Sequence, residues 1–553
     1  MTEGIFLHIL FIRQSLQKNN TMKKDAGKKF KDSINRRDFI EISTKGIGLL
    51  TGATLLGNLA FASEPYDQIS REDDLMLLDD YPFKLGVASG DPNENSVVLW
   101  TRLVTNPLMV DGNMPFRSQK VKWEISKNKS FDDILHKGKV KTDPEWAHSV
   151  HIEAEGLEPD SIYYYRFRTG TYVSPIGKTK TTPKRDDNLN ELKFAFLSCQ
   201  SYPGGYYNAY DHLIDEDLDV IFFLGDYIYE GQGGEGPRGL KHSPWKELEN
   251  LEDYRMRYAQ YKSDPALQKV HAAFPWFVTF DDHEVKNNWG GEDDPAFLKR
   301  RAAAFKAYYE HMPLRRSSVP QNEHIQIYRK CSYGNLVDFN ILDTRQFRSK
   351  PACGGGRQTL NCPDLIDPSR TIYGEEQERW LFNNLKTSTK KWNILANQVI
   401  MAFKDDINGE GIGVGIDRWD GYMASRRRLF DTIKTNEINN VIVITGDSHK
   451  NWVNNLHDDF LDLNSQILAT EFGGTSITSG GNGTAKFGEN IQKENPHIKY
   501  VGNQRGYVRC KLTPEEIKMD YRVVPYIDKK GSPITTTKSF HVMNGIPGAV
   551  ENQ

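Results

Sequence analysis

The sequence predicts an α/β domain of roughly 350 residues preceded by a small all-β module of about a hundred. Three observations carry that prediction. Residues 83–182 alternate apolar and polar side chains in short runs between turns. From Leu192 the rhythm changes to wholly apolar runs separated by segments of helical period. Several of those apolar runs also end on Cys, Asp or His rather than on ordinary turn residues.

At 553 residues, 38% hydrophobic and 26% charged, the chain can bury a large core. A formal net charge of −3 leaves no electrostatic footprint for nucleic acid. Beyond the amino-terminal segment no apolar run approaches the roughly 20 residues that span a bilayer. Within residues 1–62, Arg36 and Arg37 precede an apolar stretch from Ile47 to Ala62 that lacks a polar face. Ala60-Phe61-Ala62 places small residues where a signal peptidase cuts. The segment resembles a twin-arginine export signal, and Met22 offers a second start. That resemblance implies the twin-arginine export machinery as a partner and a periplasmic, cell-surface or secreted destination, with no transmembrane segment after signal removal. Without residues 1–62 the chain would hold 61 basic and 69 acidic residues, a net charge of −8.

Residues 63–80 are polar and acidic and read as a linker. In the module over residues 81–182, "SVVLWTRL", "KVKWEIS", "HSVHIEAEGL" and "IYYYRFRTG" alternate between the turns "GDPNEN" and "EPDS". About seven such strands predict a β-sandwich. "GLEPDSIYYYRFRTG" resembles the late strands of a fibronectin type III-like module.

The α/β domain occupies residues 190–553. "LKFAFLSC", the helical "GYYNAYDHLIDED" and "LDVIFFLGDYIYE" make a β-α-β unit. Further buried strands follow in "PWFVTFDDHE", "LVDFNILDTRQ", "WNILANQVIM" and "NVIVITGDSH". In open α/β sheets functional groups collect at the carboxyl ends of strands. Here those ends are Cys199; Asp226 with Tyr229; Asp281-Asp282-His283; Asn397-Gln398; and Asp447 with His449. An acid after a strand often caps the next helix, but capping does not call for a thiol, a phenol and imidazoles as well. A dinuclear phosphoesterase does, because it needs two cations about 3.5–4 Å apart with a carboxylate between them. Asp226 fits the bridge, Tyr229 a phenolate ligand and Asp282 a second carboxylate. His283 fits a group that assists the leaving oxygen, and Asp447 and His449 are two ligands from one strand end.

The ordered set S-C-Q, G-D-Y-I-Y-E, D-D-H-E-V-x-N-N-W, L-D-T-R-Q-F-R and G-D-S-H is similar to the PhoD-like alkaline phosphatase/phosphodiesterase family, within the calcineurin-like metallophosphoesterase fold. The resemblance runs from about Phe83 past Gly474, with Lys286 a small departure. It implies a β-sheet sandwich flanked by helices, an iron and calcium centre, and hydrolysis of phosphate mono- and diesters by a metal-bound hydroxide. Compared with purple-acid-phosphatase-like sites, the second metal loses two imidazoles. It gains Asp226, Asp282, Asp447 and an amide from Gln398 or Asn397, with Gln398 assigned. That all-oxygen set suits Ca²⁺ or another hard divalent cation. Cys199, Asp226, Tyr229 and His449 then suit Fe³⁺. Arg345 and Arg348 are placed to contact phosphate bidentately, Arg345 as the catalytic one, while Trp289 and Trp452 pack the site walls.

Two other readings stay open: a phospholipase D-type diesterase on the same scaffold, and a non-catalytic surface-binding protein that uses its β-module. An oxidising destination favours disulfides. Cys353 and Cys362 lie nine positions apart around a Gly-rich loop. Cys331 and Cys510 remain as a distant pair, and Cys199 is expected to be free.

Overall fold

The computed structural model describes Leu78 and residues 80–552; the export-signal reading lies outside the described residues. The wholly apolar runs become strands buried on both faces. Leu192–Leu197, Val220–Phe223 and Pro275–Val278 pair in parallel in the middle of a ten-stranded sheet. Val337–Ile341, Trp392–Ala396, Val441–Thr445 and Ile467–Gly473 do the same in a seven-stranded sheet.

The two sheets face each other. Phe194, Phe222, Phe339, Ile394, Ile444 and Val508 fill the space between them, with the rings of Phe222 and Phe339 stacked at 4.4 Å. On the outer face of the larger sheet, helices Leu251–Lys262, Pro265–Ala273 and Pro295–His311 share a core with Leu197, Ile221 and Phe223. Helices Gly374–Thr387 and Met423–Thr435 cover Leu395 and Val443 on the other side. The result is the helix–sheet–sheet–helix sandwich expected from the sequence, and each layer is held by burial of a two-faced apolar strand.

The amino-terminal module is also two-layered, around Val97, Leu99, Val121, Ile125, Tyr165 and Phe167. One layer is a separate five-stranded sheet that includes Lys120–Ser126 and Ile162–Thr169. The other, Val87–Gly90, Ser96–Arg102 and Ser149–Glu155, extends the ten-stranded sheet because Val87–Gly90 lies parallel to Pro275–Val278. The alternating pattern could not reveal this continuity, since ladder hydrogen bonds between backbones leave no side-chain signature.

Cys353 and Cys362 form a disulfide. The Cys331–Cys510 pairing is corrected: both are free buried thiols in the core between the sheets, where each packs as a small apolar side chain. No helix among the described residues is long and apolar enough to cross a membrane.

Candidate metal centre

The parallel strands of both sheets end at the same edge, and their following residues interlock. Cys199 N–H donates to Gly225 O at 3.1 Å, Gln200 N–H to Asp226 O at 3.1 Å, and Gly446 N–H to Gln398 O at 2.8 Å. Glycine is required at both Gly-Asp turns. A Cβ on Gly225, whose φ is +110°, would fall 2.4 Å from Asp281 Cβ, and one on Gly446 would fall 2.5 Å from the Ser198 hydroxyl. Cys199, Asp226, Asp447 and His449 all hold left-handed backbone, with φ of 60°, 57°, 58° and 56°. Non-glycine residues in that region cost of order 1–3 kcal/mol each and cluster at functional sites.

Three overlapping groups of ligand atoms result, each with its members within 4.8 Å of one another: Cys199, Asp226 and His449; Asp226, Asp282 and His283; Asp281, Asp282 and Asp447. Asp226 belongs to the first two and Asp282 to the last two. Tyr229 joins the first group, donating to Asp226 Oδ2 at 3.0 Å and lying 2.9 Å from His449 Nε2 and 2.7 Å from Ser479 Oγ. The donor set of this end is mixed sulfur, nitrogen and oxygen, while the Asp281–Asp282–Asp447 end is all oxygen.

Electrostatics show what the cluster lacks. Burial raises the Asp226 and Asp447 carboxyls well above their ordinary value, and neighbouring acids add to it. Burial, reinforced by Asp226, also raises the Cys199 thiol and the Tyr229 phenol. Asp281 is pushed up to about 6, burial outweighing Arg345. Asp282 is held low, because Arg345 and His283 overcome its burial. Asp226 Oδ1, Asp281 Oδ2, Asp282 Oδ1 and Asn397 Oδ1 are buried without a hydrogen-bond partner. Each such atom would ordinarily cost about 1–3 kcal/mol. Orphaned buried oxygens on clustered acids fit cations, which would satisfy the oxygens and reverse the carboxyl shifts.

His283 Nδ1 lies 2.6 Å from Glu230 Oε2, and Glu230 also accepts from Asn287 N–H at 2.7 Å. Burial opposes charge on His283, but Asp282, Asp226 and Glu230 outweigh it and hold its pKa well above the ordinary value. His449 goes the other way, lowered to about 3 by burial and Arg505, so it is a neutral imidazole with a lone pair to offer. Glu284 ties the two acidic turns together: it accepts from Asp226 N–H (3.1 Å), Tyr227 N–H (2.6 Å) and Asp281 N–H (2.9 Å).

Two assignments change. Gln398 is not brought to the cluster. Its Oε1 accepts from Thr344 at 2.7 Å and its Nε2 donates to Thr279 (2.8 Å) and Leu342 O (2.6 Å), which satisfies the amide between the sheets. The orphaned oxygen belongs to its neighbour Asn397. Strand parity explains the exchange, because Gln398 continues the inward-facing series of Ile394 and Ala396. Arg345 does not present an open fork to substrate either. Its Nη1 and Nη2 hold Asp417 at 2.9 and 3.0 Å and its Nε holds Asp281 at 2.5 Å. Arg348 also binds Asp417, at 3.1 Å. These arginines position carboxylates. Trp452 donates to Ser448 Oγ at 2.7 Å beside the site, whereas Trp289 packs with Phe297 and Phe305 in the helix-side core.

Sequence reading assigned no role to Glu230, Glu284, Asp281, Asp417 or Ser479. The first three stand inside the motifs, four residues after Asp226 or next to Asp282 and His283, so their proximity was visible. Asp417 and Ser479 come from loops with no distinguishing pattern.

Comparison with known proteins places the chain in a family. A family model described as PhoD-like phosphatase matches residues 194–521, and one for the PhoD-like phosphatase N-terminal domain matches residues 73–183. Alkaline phosphatase D of Bacillus subtilis (strain 168) is 48% identical over 521 residues, covering 92% of this chain and 88% of that protein. Purple acid phosphatase 23 of Arabidopsis thaliana is 24% identical over 183 residues, covering 32% of this chain and 36% of that protein. A solved structure of PhoD superposes with a TM-score of 0.83 at 48% identity, covering 86% of this chain and 93% of that one. The chain belongs to the PhoD-like phosphatase family and is a phosphoesterase.

Proposed function

We propose that the chain is an exported, metal-dependent hydrolase of phosphate mono- and diesters, with Fe³⁺ at the Cys199–Tyr229–His449 end and Ca²⁺ or another hard cation at the oxygen end. The observation that carries it is the run of buried, partnerless oxygens on Asp226, Asp281, Asp282 and Asn397. Bound cations would supply charge neutralisation and an activated oxygen nucleophile. Asp226 would serve both ends, since it groups with Cys199 and His449 and also with Asp282, which belongs to the oxygen end. Cys199, Tyr229 and His449 would complete one end; Asp281, Asp282, Asp447 and Asn397 would complete the other. His283, held by Glu230, would carry the proton that the leaving oxygen takes up. The similarity to an alkaline phosphatase D over most of both chains supports the ester class.

Metal analysis of protein purified from its native host, with rates on a mono- and a diester before and after chelation, tests this reading. One transition-metal equivalent plus a hard cation, and activity that follows their loading, are expected. Full turnover by metal-free protein would refute it. Export is tested by Arg36→Lys with Arg37→Lys, which should leave unprocessed precursor in the cytoplasm; normal secretion of that double variant would refute the twin-arginine reading.

A further inference from the structure

Beside the centre lies a cleft of about 290 Å³ lined by Asp417, Asp447 and Ser448 together with Lys404, Arg418 and Lys450. Its charges do not cancel. Arg418 bonds Asp406 Oδ2 at 2.8 Å and Asp420 Oδ2 at 2.9 Å, Lys404 pairs with Asp406, and Arg426 holds Asp420 Oδ1 at 2.8 Å. Three cations therefore share two carboxylates. Lys450 adds a further charge. Its Nζ reaches the Ser448 carbonyl at 3.5 Å and lies over the Phe487 ring, 5.9 Å from its centroid. It forms no ion pair with a carboxylate among the described residues. It is half-buried, in a cleft that also presents the apolar walls of Ile400, Ile416 and Trp452.

A half-buried ammonium without a carboxylate, next to a network already one cation in excess, is unfavourable unless an anion visits. Of the two carboxylates that line the cleft, Asp447 belongs to the clustered acids of the centre and Asp417 is already held by Arg345 and Arg348. The disulfide Cys353–Cys362 closes the loop that carries Gly355 and Gly356 into the opposite wall, so the cleft is a constrained feature of the fold.

We infer that this cleft is an anion subsite in which Lys450, backed by Lys404 and Arg418, receives a second phosphate of the substrate, next to the phosphate that is hydrolysed. Lys450 is thereby a specificity-determining residue, and the preferred substrate class is a phosphate ester that bears another phosphate nearby. The inference rests on the phosphoesterase reading for the identity of the neighbouring group, but the subsite can be measured separately from turnover.

Two probes differ only in that second phosphate: thymidine 5′-(4-nitrophenyl phosphate) and its 3′-phosphorylated counterpart. Metal-loaded wild-type protein should show the lower KM for the phosphorylated ester. Lys450→Gln should raise that KM about tenfold more than it raises the other, the size of one charge-assisted hydrogen bond, and Lys450→Arg should restore most of the difference. Calorimetric affinity for an analogue of thymidine 3′,5′-bisphosphate in which both phosphates are methylenephosphonates, whose C–P bonds a phosphoesterase does not hydrolyse, should fall about 10- to 100-fold in Lys450→Gln. Equal effects on both esters, or affinity for the analogue indifferent to Lys450, would overturn the subsite while leaving the phosphoesterase reading intact. Lys450-dependent binding of the analogue with no turnover of either ester would sustain the subsite and overturn that reading.

Discussion

The two ends of the cluster differ in how they are held. At the Cys199 end most of the functional atoms satisfy one another, Asp226 Oδ1 excepted: Tyr229 bridges Asp226 Oδ2 and His449 Nε2 and is held by Ser479. At the other end Asp281 and Asp282 keep orphaned oxygens, and their geometry is enforced from behind by Arg345, Asp417 and the backbone of Asn288. One end is preorganised by its own hydrogen bonds, the other by buried arginine and an electrostatic tension that a bound cation would relieve. The contrast teaches that a thiol–phenol–imidazole set can persist without a metal, whereas a carboxylate set needs either counter-charges or protons.

The largest expected effect removes the contrast altogether. Asp226→Ala should lose both metals and turnover together, because its carboxylate serves both ends; retention of either metal, read by elemental analysis, would show that it does not bridge. His283→Ala should keep both metals and lower kcat by about 10²–10⁴-fold, with a smaller loss on a substrate whose leaving group is already acidic. Metal loss in that variant would make His283 a ligand instead.

A sharper separation comes from the ends taken singly. Asp447→Asn should weaken the hard cation and leave the visible absorbance of a ferric thiolate–phenolate centre in place. Cys199→Ala and Tyr229→Phe should alter or bleach that colour. Loss of colour in Asp447→Asn would mean that the two ends are not independent. Within the oxygen end, Asn397→Ala should lower hard-cation affinity, whereas Gln398→Ala should lower thermal stability, by about 1–3 kcal/mol for the buried partners left unpaired, with cation affinity less changed. The reverse ranking would return the ligand role to Gln398.

The smallest effect is a slope. In metal-free protein Asp226, Asp447, Asp281 and Glu284 have raised pKa values, the last two at about 6 and about 7. The native state thus keeps protons that the unfolded chain has released above its ordinary carboxylate pKa of about 4. Stability from these groups should fall as pH rises from about 4 through about 7. His283, raised above an unfolded value of about 6.5, contributes below that value and loses its contribution as pH rises through its folded pKa. Asp282 and Glu230, held low, and His449, lowered to about 3, run opposite, and their contributions are lost at more acidic pH. The stabilisation that metal loading gives, read as the difference in melting temperature between loaded and metal-free protein, should therefore grow as pH rises from about 4 through about 7, and grow less in Asp447→Asn. A difference that does not change with pH would show that the clustered acids are not where cations bind.

By itself the sequence determined the buried strands from Leu192 to Thr445 and most of the residues that meet at their ends, but not the strands after His449 or the order of strands in the sheets. Wholly apolar runs have one stable environment, between layers, and a Gly-Asp or Asp-Asp-His that follows such a run must emerge at the sheet edge. Cys199, Asp226, Tyr229, Asp282, His283, Asp447 and His449 were legible for that reason, as was the Cys353–Cys362 disulfide, whose nine-residue separation brings the thiols close. Tertiary structure alone decided what each polar atom finds when it arrives. It turned Gln398 inward to Thr344 and Thr279 and left Asn397 Oδ1 bare, clamped Arg345 onto Asp417, kept Cys331 apart from Cys510, and joined the amino-terminal strands to the ten-stranded sheet. Those outcomes depend on partners brought from distant loops and on backbone ladders, and neither leaves a local pattern along the chain.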